Sequence, residues 1–400
     1  MRISNEAKLL SVLGFFMMTA PASTDMYLPA LVQVSRDLGV TQGETQLTLS
    51  YFFLGFAVGQ LLWGSLSDRF GRRRPMMAGI ALYIAGSVGS ALAADIAHLN
   101  LWRFLQAFGG CAMPVIAQAM ARDIYGREGS ARALSIMLLI MALAPALAPL
   151  FGAQVLRFAG WRDIFWVLGA FGVVAMAGAI RMPESLPPAR RNVIGWGNLA
   201  HSYAILLRDP RFLAYALSGA AVSGASFAYI TGTAFVHIEY FGLSSHVFGL
   251  LFGLNIAGMT AMTLVNSRIV TSKGFDTMLR IGFTGCALFS VLLALVSLDG
   301  VAGLGAIVVL LFCFMSMRGM VAANVVAGAL SNHPQRTGAA SALHGCMQFG
   351  AGYLVGLVLN WLHDGTPRPM AIIMAVCAIL GLFIFFAMHE RRKTRRVQES

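Results

Sequence analysis

The strongest constraint on the fold of this chain is a series of twelve apolar segments, each near 20 residues long. A helix of about 20 apolar residues crosses the ~30 Å hydrocarbon core of a bilayer. Membrane-spanning β-strands would instead give segments of about 10 residues with alternating polarity, and the sequence has no such pattern. The segments therefore predict transmembrane helices. They run roughly over residues 9–34, 44–66, 75–94, 99–121, 132–155, 161–181, 211–236, 246–267, 277–298, 302–330, 338–362 and 369–389.

The composition argues against a soluble fold. Hydrophobic residues make up 58% of the chain and charged residues only 12%, whereas soluble domains carry about 25% charged residues. A soluble protein this apolar would expose large hydrophobic patches to water. We therefore expect an all-α membrane protein.

The distribution of charge explains the net charge of +12. With twelve spans and an inner N-terminus, most of the 29 Lys and Arg residues fall on the cytoplasmic side. This is the positive-inside pattern, so both termini are predicted to be cytoplasmic and no nucleic-acid partner is expected. The basic residues that follow the last span are expected to face anionic membrane lipid.

The segment 182–210 divides the chain into two halves. It contains four prolines and several charges, with six predicted spans before it and six after it. We predict a six-helix bundle at 1–181, a cytoplasmic loop at 182–210, a second six-helix bundle at 211–390 and a basic tail at 391–400. Transporters built from two such repeats bind their substrate near the middle of the membrane.

Asp25 lies inside the first apolar segment, where a charge costs about 2.5–3.5 kcal/mol on insertion scales. Arg103 lies in the fourth segment and shares a helix face with Gln106. At 1.5 Å per residue the depths of Asp25 and Arg103 differ by about 5.5 Å, within reach of an arginine side chain if their helices are neighbours. A guanidinium favours the ionised carboxylate and burial favours the protonated form. The pair is predicted to form a switchable proton site, with a permanent ion pair as the alternative.

The inner loop after the second span reads GSLSDRFGRRR. It resembles the G-x-L-x-D-R-x-G-R-R loop between helices two and three of the major facilitator superfamily. The matching residues are Gly64, Leu66, Asp68, Arg69, Gly71, Arg72 and Arg73. The resemblance implies a fold of two six-helix bundles. It also implies a conformational latch of Gly64, Asp68, Arg69, Gly71 and Arg72, in which Asp68 meets the positive N-terminus of helix eleven near Gly338. A solvated turn that only fixes topology is the alternative.

The first span contains the run STDMYLPA around Asp25. It resembles the helix-one signature of the bicyclomycin-resistance (Bcr/CflA) branch of drug/proton antiporters in that superfamily. The fifth span, with Pro145 and Pro149, is also similar to this branch, although alanines replace several glycines of the general antiporter pattern. The resemblance implies a bacterial inner-membrane transporter that exchanges small lipophilic drugs, such as bicyclomycin, sulfonamides or chloramphenicol-like compounds, for protons.

Several polar and aromatic side chains within the spans are candidates for a substrate cavity. Arg318 lies near the middle of the tenth span and needs a partner or water. Aromatic side chains could equally be packing or lipid contacts. The candidates are Tyr27, Phe52, Phe56, Gln106, Pro145, Pro149, Arg318, Asn324 and Gln348.

Signatures of other function classes are absent from the sequence. It has no Gly-Lys dipeptide, hence no Walker A loop, and no H-E-x-x-H or G-x-S-x-G motif. We therefore predict a protein that is not an enzyme. No metal or cofactor is expected, and a monomer is predicted, although no motif in the sequence reports the oligomeric state. A proton-coupled importer of a small nutrient stays an alternative, because the fold does not encode the direction of transport, and so does a non-transporting receptor.

Overall fold

The computed structural model describes residues 2–191, 196–298, 303–331, 333 and 336–398, and these residues form helices and connecting turns without a β-strand. The α-helices are α1 (Arg2–Met17), α2 (Thr19–Asp25), α3 (Leu31–Leu38), α4 (Gln42–Phe70), α5 (Arg73–Ala91), α6 (Ile96–Gly110), α7 (Ala112–Phe158), α8 (Trp161–Arg181), α9 (Trp196–Arg208), α10 (Pro210–Ala234), α11 (Ser245–Lys273), α12 (Phe275–Leu298), α13 (Leu304–Leu330), α14 (Thr337–Trp361) and α15 (Arg368–Gln398).

The lengths and apolarity of these helices fit a multi-span membrane protein. Within the described ranges, ten helices are long and apolar enough to cross a membrane, and a bent pair, Glu6–Met17 and Thr19–Leu38, makes eleven. The remaining predicted span, 75–94, corresponds to α5. This helix starts with two arginines and is rich in glycine and serine, which lowers its mean hydropathy. The all-α membrane fold predicted from the sequence is confirmed.

The first predicted span, 9–34, is broken twice by proline. Its two main parts meet at an angle of 42°. Pro21 and Pro29 each lie four residues after the end of a helix, at Met17 and Asp25 respectively. A proline cannot donate the i→i−4 hydrogen bond, and its ring clashes with the carbonyl group four residues earlier. The second break therefore falls at Asp25 for a local steric reason.

The fourth and fifth spans are joined by a tight reversal. The helical run α7 contains two helices that meet at Gly126, where φ is +63°. Glycine adopts this left-handed conformation without the steric penalty of a Cβ atom. The two spans cover Ile96–Gly126 and Gly129–Phe158, in agreement with the predicted segments 99–121 and 132–155. The second continues as a helix through Pro145 and Pro149.

The chain divides into two compact units. Unit 1 comprises Met1–Gly197 and Leu243–Gly253, and unit 2 comprises Asn198–Gly242 and Leu254–Ser400. Within unit 1, α6 packs against α4 and α5, α5 packs against α8, and α1 packs against α7. Within unit 2, α10 packs against α13, α14 and α15, and α12 packs against α13 and α15.

The central segment predicted as a loop, 182–210, differs from that prediction because it contains the helix α9. Leu199, Tyr203 and Leu206 recur at helical spacing, and Leu206 is fully buried. An apolar stripe of this kind stabilises a helix by burial. Residues 192–195 of the segment lie outside the described residues. At the other end, α15 continues through most of the predicted tail 391–400, whose side chains also lie outside the described part.

Glycines allow neighbouring helices to pack closely against the segment at Asp25 and against the helix of Arg103. A Cβ atom added at Gly152 of α7 would collide with the carbonyl oxygen of Met26. Similarly, a Cβ atom added at Gly86 of α5 would collide with the backbone nitrogen of Gln106. Glycine at these two positions therefore brings α7 against the break and α5 against the helix that carries Arg103.

We expect Gly152→Ala to destabilise the protein, because the added methyl group overlaps the Met26 backbone. Overpacking of this kind costs about 1–3 kcal/mol. Gly350→Ala is the matched control, since a Cβ atom at that helical glycine meets no atom within 4 Å. Thermal unfolding of the purified variants should give a lower Tm for Gly152→Ala and an unchanged or slightly higher Tm for Gly350→Ala. Equal Tm values would contradict the packing argument.

Candidate functional site

The Asp25 carboxyl group is buried and has a neutral neighbour. The residue is 4% exposed, and its Oδ1 accepts a hydrogen bond from the Thr24 hydroxyl at 2.9 Å. Asp25 makes no ion pair with any residue that the structure describes. A buried carboxyl group without a cationic partner is expensive to ionise. Asp25 therefore has the surroundings of a group whose charge depends on conformation.

The Arg103 guanidinium is enclosed by aromatic rings. Its side chain is fully buried, and the guanidinium carbon lies 4.4 Å from the ring centre of Phe52, 4.9 Å from that of Tyr27 and 5.5 Å from that of Phe165. Nη1 donates a hydrogen bond to Gln106 Oε1 at 2.5 Å. Desolvated cation–π contacts contribute about 2 kcal/mol or more. The rings and the amide thus balance this cation.

The expected pairing of Arg103 with Asp25 is not formed in this structure. Arg103 makes no ion pair with a described carboxylate, and its Nε and Nη2 are buried without a hydrogen-bond partner. Sequence spacing gave the depth of the two residues, but it could not show that the guanidinium turns toward the rings. The roles of Asp25 and Arg103 in proton coupling stay a prediction.

Hydrogen bonds connect the segment around Asp25 to its neighbouring helices. The Thr48 hydroxyl of α4 donates to Tyr27 Oη at 3.1 Å, and Ser23 and Tyr83 of α5 share a hydrogen bond of 2.8 Å. Gln106 Nε2 donates to Ser87 Oγ at 2.8 Å. These bonds hold the break and the arginine helix in a fixed geometry.

The aromatic candidates for drug stacking are packed inside unit 1. Tyr27, Phe52 and Phe56 are at most 2% exposed, and the rings of Phe52 and Phe56 stack with centroids 5.9 Å apart. Tyr27 and Phe52 cover the Arg103 guanidinium. In this conformation they support that cation, and their contact with a substrate stays a prediction.

The loop between α4 and α5 is organised around Arg72. Its Nη1 contacts Asp68 Oδ1 at 2.5 Å and Ser67 Oγ at 2.7 Å, and its Nε contacts Asp123 Oδ2 at 2.8 Å. Burial opposes the charged guanidinium, but the carboxylates of Asp123 and Asp68 outweigh this effect and raise the pKa of Arg72 above its ordinary value. Asp123 also accepts a hydrogen bond from the Ser185 hydroxyl at 3.2 Å. Arg72 thereby connects three segments of unit 1.

Glu184 caps the same loop, a role that sequence reasoning missed. Its Oε1 accepts hydrogen bonds from the backbone N–H of Arg72 at 2.8 Å and of Leu186 at 3.0 Å, and its Oε2 accepts one from the N–H of Arg73 at 3.2 Å. Arg191 Nη2 lies 4.0 Å from Oε2. Burial opposes the charge, but the three N–H donors outweigh it and lower the pKa of Glu184 below its ordinary value. The sequence signal was the motif MPESL, which carries this carboxylate.

The other predicted latch residues lie in this loop. Gly71 has a φ of +88°, and a Cβ atom there would lie 2.5 Å from Glu184 Oε2. Arg69 is exposed and lies over the Phe70 ring at 5.4 Å. Gly64 lies further up α4. Asp68 contacts Arg72 of its own loop, and its expected meeting with the N-terminus of helix eleven stays a prediction.

In unit 2, Arg318 lies beside a small cavity with polar and apolar lining residues. Its Nε donates to the Ser226 hydroxyl at 2.7 Å and its Nη2 to the Ser223 hydroxyl at 3.3 Å. The cavity has a volume of about 90 Å³. Gln348, another candidate from the sequence, lines it together with His344. The structure therefore brings Arg318 and Gln348 together.

Asn324 is placed away from that cavity's lining. Its Nδ2 donates to Asn266 Oδ1 and to the Met320 carbonyl oxygen, both at 2.7 Å. The side chain is 3% exposed. This geometry is that of an interhelical hydrogen bond between α13 and α11.

Comparisons with known proteins identify the relatives of the chain. The sequence profile of the Major Facilitator Superfamily matches residues 13–357. The uncharacterised MFS-type transporter YdgK of Bacillus subtilis is 34% identical, with 96% of both chains covered. The bicyclomycin resistance protein homolog of Haemophilus influenzae is 29% identical with 96% of both chains covered, and the chloramphenicol resistance protein of Pseudomonas aeruginosa is 32% identical with 94% of this chain and 90% of that chain covered.

A solved structure has a similar fold. The partially occluded inward-open conformation of the xylose transporter XylE from E. coli gives a TM-score of 0.74. The match covers 94% of this chain and 96% of that chain at 15% identity. At this identity the likeness concerns the fold alone.

We expect Glu184→Gln to loosen the loop at Arg72 and Arg73 and to remove its sensitivity to acid. Because the pKa of folded Glu184 is lowered, its stabilising effect is complete above its unfolded pKa and is lost as the pH falls through its folded pKa. Amide protection factors at Arg72 and Arg73, measured by hydrogen exchange from about pH 7 down to about pH 2, well below the ordinary Glu pKa of about 4.3, should fall about tenfold or more in the wild type. In Glu184→Gln they should already be low at neutral pH.

Asp95→Asn serves as the control for that measurement. Asp95 is an exposed carboxylate that caps α6 through the His98 backbone N–H at 2.9 Å. Its substitution should leave the protection of Arg72 and Arg73 unchanged. Wild-type protection in Glu184→Gln at neutral pH would refute the capping role.

Proposed function

Because the chain belongs to the major facilitator superfamily, we propose that it exports small lipophilic drugs across the bacterial inner membrane in exchange for protons. The observation that carries this proposal is the position of Asp25, a buried carboxyl group at a proline-induced helix break without a cationic partner among the described residues. Ionisable groups inside a membrane span usually mark ion or proton pathways.

The family predicted from the loop at Gly64 and from the first span is confirmed. Two relatives are named for resistance to bicyclomycin and chloramphenicol, which supports drugs of this size and polarity as substrates. The chain is a multi-pass membrane protein. The distribution of Lys and Arg supports cytoplasmic termini, and we propose that a monomer carries out transport.

Asp25 is the proton carrier in the proposed mechanism. Drug binds from the cytoplasm when Asp25 loses its proton, and a proton from outside neutralises Asp25 after the drug leaves. Discontinuous helices place such ion sites where the α-helix is interrupted, and the α-helix ends at Asp25, where a turn and a 3₁₀-helix over Leu28–Ala30 follow. A net charge moved across the membrane gains about 2.3 kcal/mol per 100 mV.

Arg103 is proposed to respond to the charge on Asp25. Two of its nitrogen atoms are buried without an acceptor, so a rearrangement that offers them a carboxylate would be favourable. The hydrogen bond with Gln106 and the faces of Tyr27 and Phe52 hold the guanidinium while Asp25 is neutral. Ionisation of Asp25 would then favour a different conformation of unit 1.

The loop around Arg72 is proposed to act as the conformational latch. Asp68 is partly exposed and bonded to Arg72. An anion at a helix N-terminus contributes about 0.3–1 kcal/mol, so the proposed contact of Asp68 with the start of α14 is weak enough to open in each cycle.

We predict that Asp25→Asn abolishes drug-driven proton movement. Everted vesicles would be energised to an acidic interior, and chloramphenicol or bicyclomycin added while a pH-sensitive dye reports proton release. The wild type should release protons on addition of drug. Asp25→Asn should release none, because asparagine carries no titratable proton.

Asp37→Asn is the matched control. Asp37 lies at the outer end of the same segment, is exposed and accepts a hydrogen bond from Trp161 Nε1 at 3.0 Å, which asparagine can also accept. This variant should keep wild-type proton release. Wild-type release from Asp25→Asn at normal expression would remove Asp25 from the mechanism, whereas no release from the wild type with either drug would argue against export by exchange.

A further inference from the structure

Arg318 is a partly buried cation without a carboxylate partner in the described part of unit 2. It lies in the middle of α13, and among the described residues it donates hydrogen bonds to the hydroxyl groups of Ser223 and Ser226. Charged residues inside membrane spans normally pair with an opposite charge or face a polar cavity. Arg318 therefore borders a cavity but has no described carboxylate beside it.

The cavity beside Arg318 is small. Its volume of about 90 Å³ is well below the ≈ 300–1,000 Å³ of a typical pocket for a drug-sized ligand. A compact polar group suits this space better than a whole drug molecule. The cavity is therefore a subsite for one functional group of a larger compound.

The polar groups that line the cavity can all donate hydrogen bonds, and Arg318 among them cannot accept one. Arg318 carries five N–H donors, two of which bond to Ser226 and Ser223, while Ser223 adds a hydroxyl and Gln348 an amide. His344 also lines the cavity, and its Nδ1 is buried without a hydrogen-bond partner. His344 and Gln348 share one face of α14, one turn apart. The described lining residues include no carboxylate, so nothing in the cavity repels an anion.

We propose that this cavity binds a compact anionic group of the exported compound, such as a carboxylate or a deprotonated sulfonamide. A guanidinium recognises planar anionic groups with two parallel hydrogen bonds. Val321 and Val325 line the same cavity and provide apolar contact for the carbon atoms next to the anionic group. The inference rests on the proposed export function and adds the class of compound that unit 2 selects.

Equilibrium binding to the purified full-length protein tests this subsite with two matched probes. 1-Naphthoate and 1-naphthamide have the same ring system, but only the first is an anion at neutral pH. The wild type should bind 1-naphthoate about tenfold or more tightly than 1-naphthamide, because the charged probe gains charge-assisted hydrogen bonds. Equal affinities in the wild type would overturn the proposal.

Three variants assign the preference to the side chain. Arg318→Gln should abolish the difference between the probes while the affinity for 1-naphthamide stays unchanged. Arg318→Lys should keep part of it, since lysine is a point charge without the planar fork. Arg268→Gln is the control, because Arg268 is an exposed arginine of α11, and it should keep the full preference. A full preference in Arg318→Gln would refute the assignment, and so would its complete loss in a folded Arg318→Lys.

Inorganic anions can form the same hydrogen bonds with Arg318. A third measurement distinguishes an inorganic anion site from a substrate subsite. If the site belongs to a solvent anion, tracer chloride will bind to the wild type and not to Arg318→Gln, while 1-naphthoate binds no more tightly than 1-naphthamide. That result would overturn the substrate subsite. Binding does not require a proton gradient. A protein that keeps the probe preference but releases no protons in vesicles would therefore refute the proposed export and leave the anion subsite supported.

Discussion

The expense of holding a charge away from water governs both the fold and the candidate sites of this protein. Among the described residues, Asp25, Arg103 and Arg318 lie within membrane spans without an opposite charge as partner. Arg72, in the loop between α4 and α5, has two carboxylates as partners. A permanent ion pair would neutralise these groups and hold them in their charged state. Without such a partner, Asp25 stays available to a proton and the arginines to an anion.

Much of the fold could be predicted from sequence because membrane spans depend on length and apolarity, which are local properties. The breaks in the first span also have a local cause, since Pro21 and Pro29 each disrupt the helix four residues earlier. The segment 9–34 was predicted as one span, and this rule was not applied to it. Helix α9 was missed for a different reason, because the prolines and charges around it masked a short apolar stripe that includes Leu206.

The candidate sites were less accessible from sequence because they depend on contacts between distant segments. The shared face of Arg103 and Gln106 follows from helical spacing, and their hydrogen bond agrees with it. The ring of Phe165, by contrast, reaches Arg103 from a helix more than 60 residues away, and no local pattern predicts which way the guanidinium turns. Glu184 likewise caps backbone N–H groups that lie about 110 residues earlier in the chain.

The two arginines within membrane spans, Arg103 and Arg318, illustrate how the surroundings of one residue type determine its use. Arg103 lies under three aromatic faces and is fully enclosed, so its charge stabilises a particular packing of unit 1. Arg318 is bonded to two hydroxyl groups and lines a cavity, so its remaining N–H groups are available to a ligand in that cavity. Aromatic faces balance a cation without supplying an acceptor that a ligand must displace, whereas hydroxyl groups exchange readily for an anion that bonds more strongly to the guanidinium. The enclosed arginine is therefore suited to sensing a nearby proton, and the accessible arginine to selecting a ligand.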